Sequence, residues 1–382
     1  MDQSLTQYPE HRFAVLLWKC FPPVFIVIGT CGNLLTITVL SQRKNRNSAT
    51  SVYITMLASC DIVALWTPLL THWIKYTFEI DLTDLSSLNC KIFFILTYFS
   101  LQCSSLMIVV VTSERAISVL LPHKVKNKCR PRNAIAVSVT ICVCLLSLNI
   151  HWLFGVGVKS VDTYQPNNTI AQLKCRPLTE DSKYFIEAVW PWIDLSILYL
   201  IPLVILIAAS IAFLGHLRIN THRRQNQIAP ITNSMTKTSR KRMSSQLTKT
   251  LLTLDIVFFL CTTPVTIYMT IFTGALSSPK QSQYHAVHEL WWAIVNMLMF
   301  FNNTVNFILY FLSGSRFRDE VKNLLCRKKS SSISAITGCQ TIPKAGKDTK
   351  ILSSAQVNKC TGGTRATIKP TAGTSIEHIA LS

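Results

Sequence analysis

Charge is scarce in this chain of 382 residues: Asp, Glu, Lys and Arg together make up 15% of it, while 49% is hydrophobic. Soluble globular domains carry roughly 25% charged residues, so the shortage counts against a water-exposed fold and points to lipid. Acidic residues are the scarcer sign, 18 against 38 Lys and Arg, giving a formal net charge of +20. Such an excess can serve nucleic acid, but a nucleic-acid binder gathers its basic residues on one folded surface between amphipathic elements. Here they sit between long apolar runs, and nucleic acid is not an expected partner. Metal-ligand spacings, a phosphate-binding Gly loop and a nucleophile motif are also missing, which leaves an enzyme without support. The apolar stretches do not alternate with polar residues, as the strands of a membrane barrel would.

What is present is seven continuous apolar runs, at about 13–41, 50–75, 88–120, 134–158, 186–217, 247–273 and 285–312. Crossing roughly 30 Å of hydrocarbon takes about 20 residues of helix, and each run is long enough. The expected fold is an all-α membrane protein, a seven-transmembrane helix bundle over residues 13–312. Pro68, Pro202 and Pro264 fall inside runs, which membrane helices tolerate when neighbours satisfy the freed backbone groups. A soluble helical protein with a few buried helices is the competing reading, but seven such runs leave almost no amphipathic surface.

Orientation follows from Lys and Arg, which mark the loops that stay in the cytoplasm. With residues 1–12 outside, the inner loops and tail hold three, five, eight and twelve basic residues, 28 of the 38. Glu79, Asp81, Asp84, Asp162, Glu180, Asp181, Glu187 and Glu289 fall on the opposite side. The N-terminus is therefore expected outside, with the first helix as its own membrane signal. Residues 329–382 are polar, basic and rich in Ser, Thr and Lys, the composition of a disordered cytoplasmic tail.

Polar groups inside apolar spans are costly and commonly functional. Asn33 lies in the first span, Asp61 in the second, Ser104 and Arg115 in the third, and Asn302 and Asn306 in the seventh. Asp61, Ser104, Asn302 and Asn306 share a middle to inner depth. Their oxygens suit a small hard cation such as sodium. The same side chains can equally satisfy one another by hydrogen bonds, dry and without an ion, and the residues alone leave both readings open. Arg115 follows Glu114 where the third span meets a basic loop, and taken alone it reads as an arginine snorkelling to the headgroups.

Further residues fall at regular places. Gly32-Asn33 with Val39 stands in the first span and Leu57-Ala58-Ser59-Cys60-Asp61 in the second. The third carries Cys90 and Glu114-Arg115-Ala116, with Pro122 seven residues after the Arg, and the fifth carries Pro202. The sixth has Phe258 and Cys261-Thr262-Thr263-Pro264, and the seventh Asn306-Phe307-Ile308-Leu309-Tyr310, with Phe317 beyond it. In this order and at these spacings they resemble the signatures of the rhodopsin-like, or class A, G protein-coupled receptors over roughly residues 13–326. The resemblance is closest to invertebrate-type neuropeptide receptors, including those for short amidated peptides.

The resemblance implies a disulfide between Cys90 and Cys175 and a short amphipathic membrane-surface helix at 313–328. It favours a sodium ion, as an allosteric modulator, at Asp61, Ser104, Asn302 and Asn306. It makes Glu114, Arg115 and Tyr310 the G protein coupling switch and Cys326 a palmitoylation site. Its partners would be an extracellular peptide, a heterotrimeric G protein, arrestin recruited to phosphorylated serines such as Ser330, Ser331, Ser332 and Ser334, and the lipid bilayer of the plasma membrane. Four positions depart from the family pattern: Thr262 replaces a Trp, Phe307 a Pro, Ser210 a Tyr and Ala116 the Tyr of D-R-Y. A mid-span Trp is also missing from the fourth helix.

Amine receptors of this family carry an Asp where this chain has Thr97, and opsins a Lys that residues 285–312 lack. A peptide or another small polar ligand remains, with Thr97, Trp190, Asp194, Tyr268, Trp292 and Asn296 as candidate contacts. Asp194, inside an apolar span about two turns before Pro202, calls for a cation from ligand or protein, which favours a basic or amidated peptide. Interfacial Trp and Tyr can also merely anchor helix ends. Asn167 opens a glycosylation sequon. A transporter or channel with a midplane polar site is the rival class, yet the seven spans do not divide into paired repeats.

Overall fold

The computed structural model describes residues 5–43, 45–120, 129–165, 168–225, 253–271, 283–313 and 317–324. Among these, seven helices are long and apolar enough to cross a membrane. They are α1 (Pro9–Leu40), α2 (Ala49–Phe78), α3 (Ser87–Leu120), α4 (Pro131–Gly155), α5 (180–225), α6 (Thr253–Ile271) and α7 (Gln283–Ser313). A short helix, α8, follows at 317–324.

Local chemistry explains where the boundaries differ from the hydropathy reading. α1 begins at Pro9, four residues early, because a proline at the first helical position has its φ preset and needs no donor there. α5 begins at Glu180: the Thr179 side chain accepts the Ser182 N–H, and Glu180 and Asp181 face the positive end of the helix. The expected all-helical chain also contains a hairpin. α4 stops at Gly155, and β1 (Val156–Gln165) pairs antiparallel with β2 (Asn168–Pro177) from Val156↔Pro177 to Gln165↔Asn168. Val156 is buried and Val158 packs beside it against Cys90 and Trp152, so a short β-branched alternation replaces the last turn expected of the fourth span.

Proline shapes the helices from within. At Pro68 the missing N–H and the ring would break a regular α-helix, and α2 takes a wide π turn over Leu65–Leu69 before resuming. α5 has two such turns, Phe185–Val189 before Pro191 and Ser196–Leu200 before Pro202.

The outward faces are apolar: Val27, Val204 and Leu260 are each more than 60% exposed, a surface suited to hydrocarbon and not to water. Inside, α1 lies directly on α7. A Cβ on Gly32 would stand 2.8 Å from Phe307 Cβ, so the small residue is what admits the large ring. One apolar cluster, with Tyr53, Met107, Leu254, Phe258 and Tyr310, fills the end towards the basic loops. Two others, around Trp18, Leu69 and Phe300 and around Cys90, Trp152 and Trp190, fill the end bearing the hairpin.

Candidate functional site

The hairpin end is held by acids. Cys90 and Cys175 form the disulfide, with Cα atoms 5.8 Å apart, and tie β2 to the start of α3. Asp84 accepts the Cys175 N–H at 2.8 Å and Lys174 Nζ at 2.8 Å. Asp81 accepts from Thr83 N at 3.1 Å and Oγ1 at 2.6 Å, and pairs with Lys75 Nζ at 2.8 Å. Burial would raise the Asp81 carboxyl, but the hydrogen bonds from Lys75 and Thr83 and the Lys75 charge outweigh it and hold it below the ordinary value. On the far side His11 bonds Glu289, joining the start of α1 to α7.

Within this rim opens a cavity of about 930 Å³ between α2, α3, α5, α6, α7 and β2. Thr97, Trp190, Asp194, Trp292 and Asn296 all line it. Tyr268 does not. Its ring is buried against Trp292, and its hydroxyl donates to the His288 carbonyl at 2.9 Å, so it supports the wall from behind. Trp192 and Trp291 are more than half exposed and lie outside the cavity lining, as interfacial anchors do. Of the two expected sources of a cation for Asp194, ligand or protein, the described residues supply an amide in place of the second: Gln102 Nε2 donates to its Oδ1 at 2.9 Å.

Deeper, the Asp61 carboxylate is fully buried. Its Oδ1 accepts from Ser104 Oγ at 2.7 Å and Asn303 Nδ2 at 2.8 Å, and its Oδ2 from Asn306 Nδ2 at 2.7 Å. The amide that joins Ser104 and Asn306 is thus Asn303, not the expected Asn302. Residues 303 and 306 are three apart and share a helix face, whereas 302 is turned some 100° away from 303. Asn302 Oδ1 and Asn306 Oδ1 are both buried without a hydrogen-bond partner among the described residues. Asn33 Nδ2 donates to the Asn303 carbonyl at 3.1 Å, which brings α1 into the same network.

Towards the basic loops, Glu114 Oε2 accepts from Thr50 Oγ1 at 2.6 Å. Arg115 is partly buried, and its Nε is enclosed. Tyr310 packs on Phe317 of α8, ring centroids 6.2 Å apart, with its hydroxyl buried and without a hydrogen-bond partner among the described residues. Asp255 of α6 lies buried nearby in the fold and accepts from Thr112 Oγ1 at 2.9 Å.

Asp255, Gln102, Asn149 and Asn303 are absent from the polar residues singled out in the sequence, although each stands inside an apolar span. A charge in a span is itself the signal, and Asp255 carries it. Asn167, Cys326, Pro122 and the tail serines lie outside the described residues.

The chain matches the family described as "7 transmembrane receptor (rhodopsin family)" over residues 32–310. Among curated proteins it is 22% identical over 304 residues to the KiSS-1 receptor of Mus musculus, covering 78% of this chain and 72% of that receptor. It is 24% identical over 310 residues to the FMRFamide receptor of Drosophila melanogaster, covering 79% of this chain and 52% of that receptor. A shorter match to the human C-C chemokine receptor type 1 is 31% identical over 105 residues, 27% of this chain and 29% of that receptor.

Proposed function

The chain belongs to the rhodopsin family of seven-transmembrane receptors, and from that premise we propose that it is a plasma-membrane neuropeptide receptor signalling to a heterotrimeric G protein. Its N-terminus and hairpin end face outward, and its basic loops face the cytoplasm, where arrestin would engage the phosphorylated tail. The Asp194 carboxylate in the cavity carries the ligand reading: the cavity is large, and this acid, deep in the span, is hydrogen-bonded to an uncharged amide. A cationic group supplied by the ligand would complete that site. A basic or amidated peptide fits, and a relative named for FMRFamide agrees with it.

In this reading Glu114, Arg115 and Tyr310 form the coupling switch, and a sodium ion at Asp61 modulates it. The buried Oδ1 of Asn306, whose Nδ2 bonds Asp61 and which has no hydrogen-bond partner among the described residues, supports such an ion, since hard cations take oxygen ligands. Sodium should lower agonist affinity in the wild type and leave Asp61→Asn unaffected.

The main test is a library of amidated peptides screened on transfected cells with a promiscuous G protein. The expected outcome is a G protein response to a basic peptide whose potency falls at least about tenfold in Asp194→Ala, the order of one lost charge-assisted contact. An unchanged response in that variant would remove the contact. Ligand-evoked currents that persist without any G protein would replace the receptor reading with a channel.

A further inference from the structure

Behind the cavity wall runs a chain of amides with a fixed direction. Asn149, fully buried at the end of α4, gives its Nδ2 hydrogens to the Leu145 backbone oxygen at 2.9 Å and to Gln102 Oε1 at 2.8 Å. A backbone carbonyl only accepts, so the Leu145 oxygen dictates which way the Asn149 amide faces. With Asn149 Nδ2 against its oxygen, the Gln102 amide must present Nε2 on its other edge. There it meets Asp194 Oδ1 at 2.9 Å. Gln102 is itself fully buried on α3, and neither it nor Asn149 lines the cavity, whereas Asp194 does.

Two consequences follow for the acid. Gln102 supplies a hydrogen bond without a positive charge, so the carboxylate keeps its charge for whatever enters. It also occupies Oδ1 alone, and Oδ2 has no hydrogen-bond partner among the described residues. A Lys or Arg in place of Gln102 would have closed the site with an internal ion pair.

We propose that Gln102 and Asn149 are positioning residues that aim the free oxygen of Asp194 into the cavity and so set selectivity for a cationic ligand over its neutral isostere. The proposal rests on Asp194 as the cation-accepting group. Its distinctive claim is that Asn149, which lines no part of the cavity, acts on the ligand through an intact relay. An ordinary packing role for Asn149 would affect folding and leave charge selectivity alone.

The test uses the full-length receptor in lipid nanodiscs, with the infrared bands of the Asp194 carboxyl assigned by difference against Asp194→Asn. The probes are N-acetyl-arginine amide and N-acetyl-citrulline amide, a cation and its neutral near-isostere. In the wild type the arginine probe should shift the Asp194 bands and the citrulline probe should not. Asn149→Leu should displace those bands with no probe present and weaken half-saturation by the arginine probe roughly tenfold. Since Asn149→Leu leaves the buried Gln102 Oε1 without its donor and can impair folding, Asn149→Asp provides a near-isosteric second variant. Its acceptor-only side chain draws Gln102 Nε2 away from Asp194 and should displace the bands as well. Gln102→Leu should have the same effect, and adding Asn149→Leu to it should change nothing more, because a relay already cut cannot be cut again.

Asp194 bands that stay in place in folded Asn149→Asp and Gln102→Leu would overturn the relay. Additive effects of the two leucine variants would do so too. If the relay variants move the bands but the arginine and citrulline probes act alike on the wild type, the cation-accepting reading fails, and the proposal with it. The two failures therefore leave different spectra.

Discussion

Asp61 and Asp255 are alike in burial, 0% and 3% exposed, and unlike in company. Asp61 accepts three hydrogen bonds from α3 and α7, and Asn33 extends the network to α1. Among the described residues Asp255 accepts one, from Thr112 of α3, and its second oxygen is buried without a hydrogen-bond partner. A buried acceptor left unpaired costs about 1–3 kcal/mol, so the Asp255 site stands to gain from rearrangement and the Asp61 site stands to lose. The α1–α2–α3–α7 side is stitched together at its middle. At its basic end the Thr112–Asp255 hydrogen bond joins α6 to α3.

The largest effect should come from breaking the stitched side. Asp61→Ala strands three buried donors, and thermal unfolding of the purified receptor should show a loss of about 3 kcal/mol or more. A small loss there would erase the contrast with Asp255. Next, Gly32→Val places methyl groups against Phe307, and overpacking of this kind costs about 1–3 kcal/mol. The same unfolding measurement checks whether the α1–α7 contact is as tight as the polar network it flanks.

The contrast sharpens on the other side with Thr112→Val, which removes a bond of about 1 kcal/mol without removing the acid. Stability should fall by about 1–3 kcal/mol, the cost of the acceptor left unpaired. Ligand-independent G protein signalling should rise about fivefold, the shift that 1 kcal/mol allows, and Thr112→Val combined with Asp255→Leu should not exceed the stronger single variant. Unchanged basal signalling would mean that this bond does not restrain α6.

The smallest effect belongs to Asp81→Asn at the rim. Lys75 is half exposed, and such surface pairs contribute under about 1 kcal/mol. Because the Asp81 carboxyl titrates below its ordinary value of 3.8, its contribution is present above that value and is lost as pH falls through the lower folded one. The wild type should therefore outlast Asp81→Asn at neutral pH, and the two should converge in acid.

Much of this was legible in the chain. Seven apolar runs, the sidedness of Lys and Arg and the spaced motifs depend on local composition, and composition is what lipid reads. Cavity residues such as Thr97, Asp194 and Asn296 were accessible too, because depth along a helix follows from counting. Rotation about the helix axis was harder. Asn302 and Asn303 differ by one position in sequence, and only the packing of α7 against α2 and α3 decides which of them faces Asp61. Tyr268 has the depth of a ligand contact but turns its hydroxyl to His288. The hairpin at 156–177 was hidden because two short strands of mixed polarity carry no long periodic signal, and their pairing is made between residues up to 21 positions apart.

By itself the sequence determined that this protein crosses a membrane seven times, at which end of the bundle its positive charge gathers and which family it resembles. Hydrocarbon length and interfacial charge act on each segment separately, so no neighbour is needed to read them. The tertiary structure alone decided which buried polar groups meet. Asn149 reaches Gln102, Gln102 reaches Asp194, and Asp255 meets Thr112, because hydrogen bonds act over a few ångströms between atoms that only the packed bundle brings together.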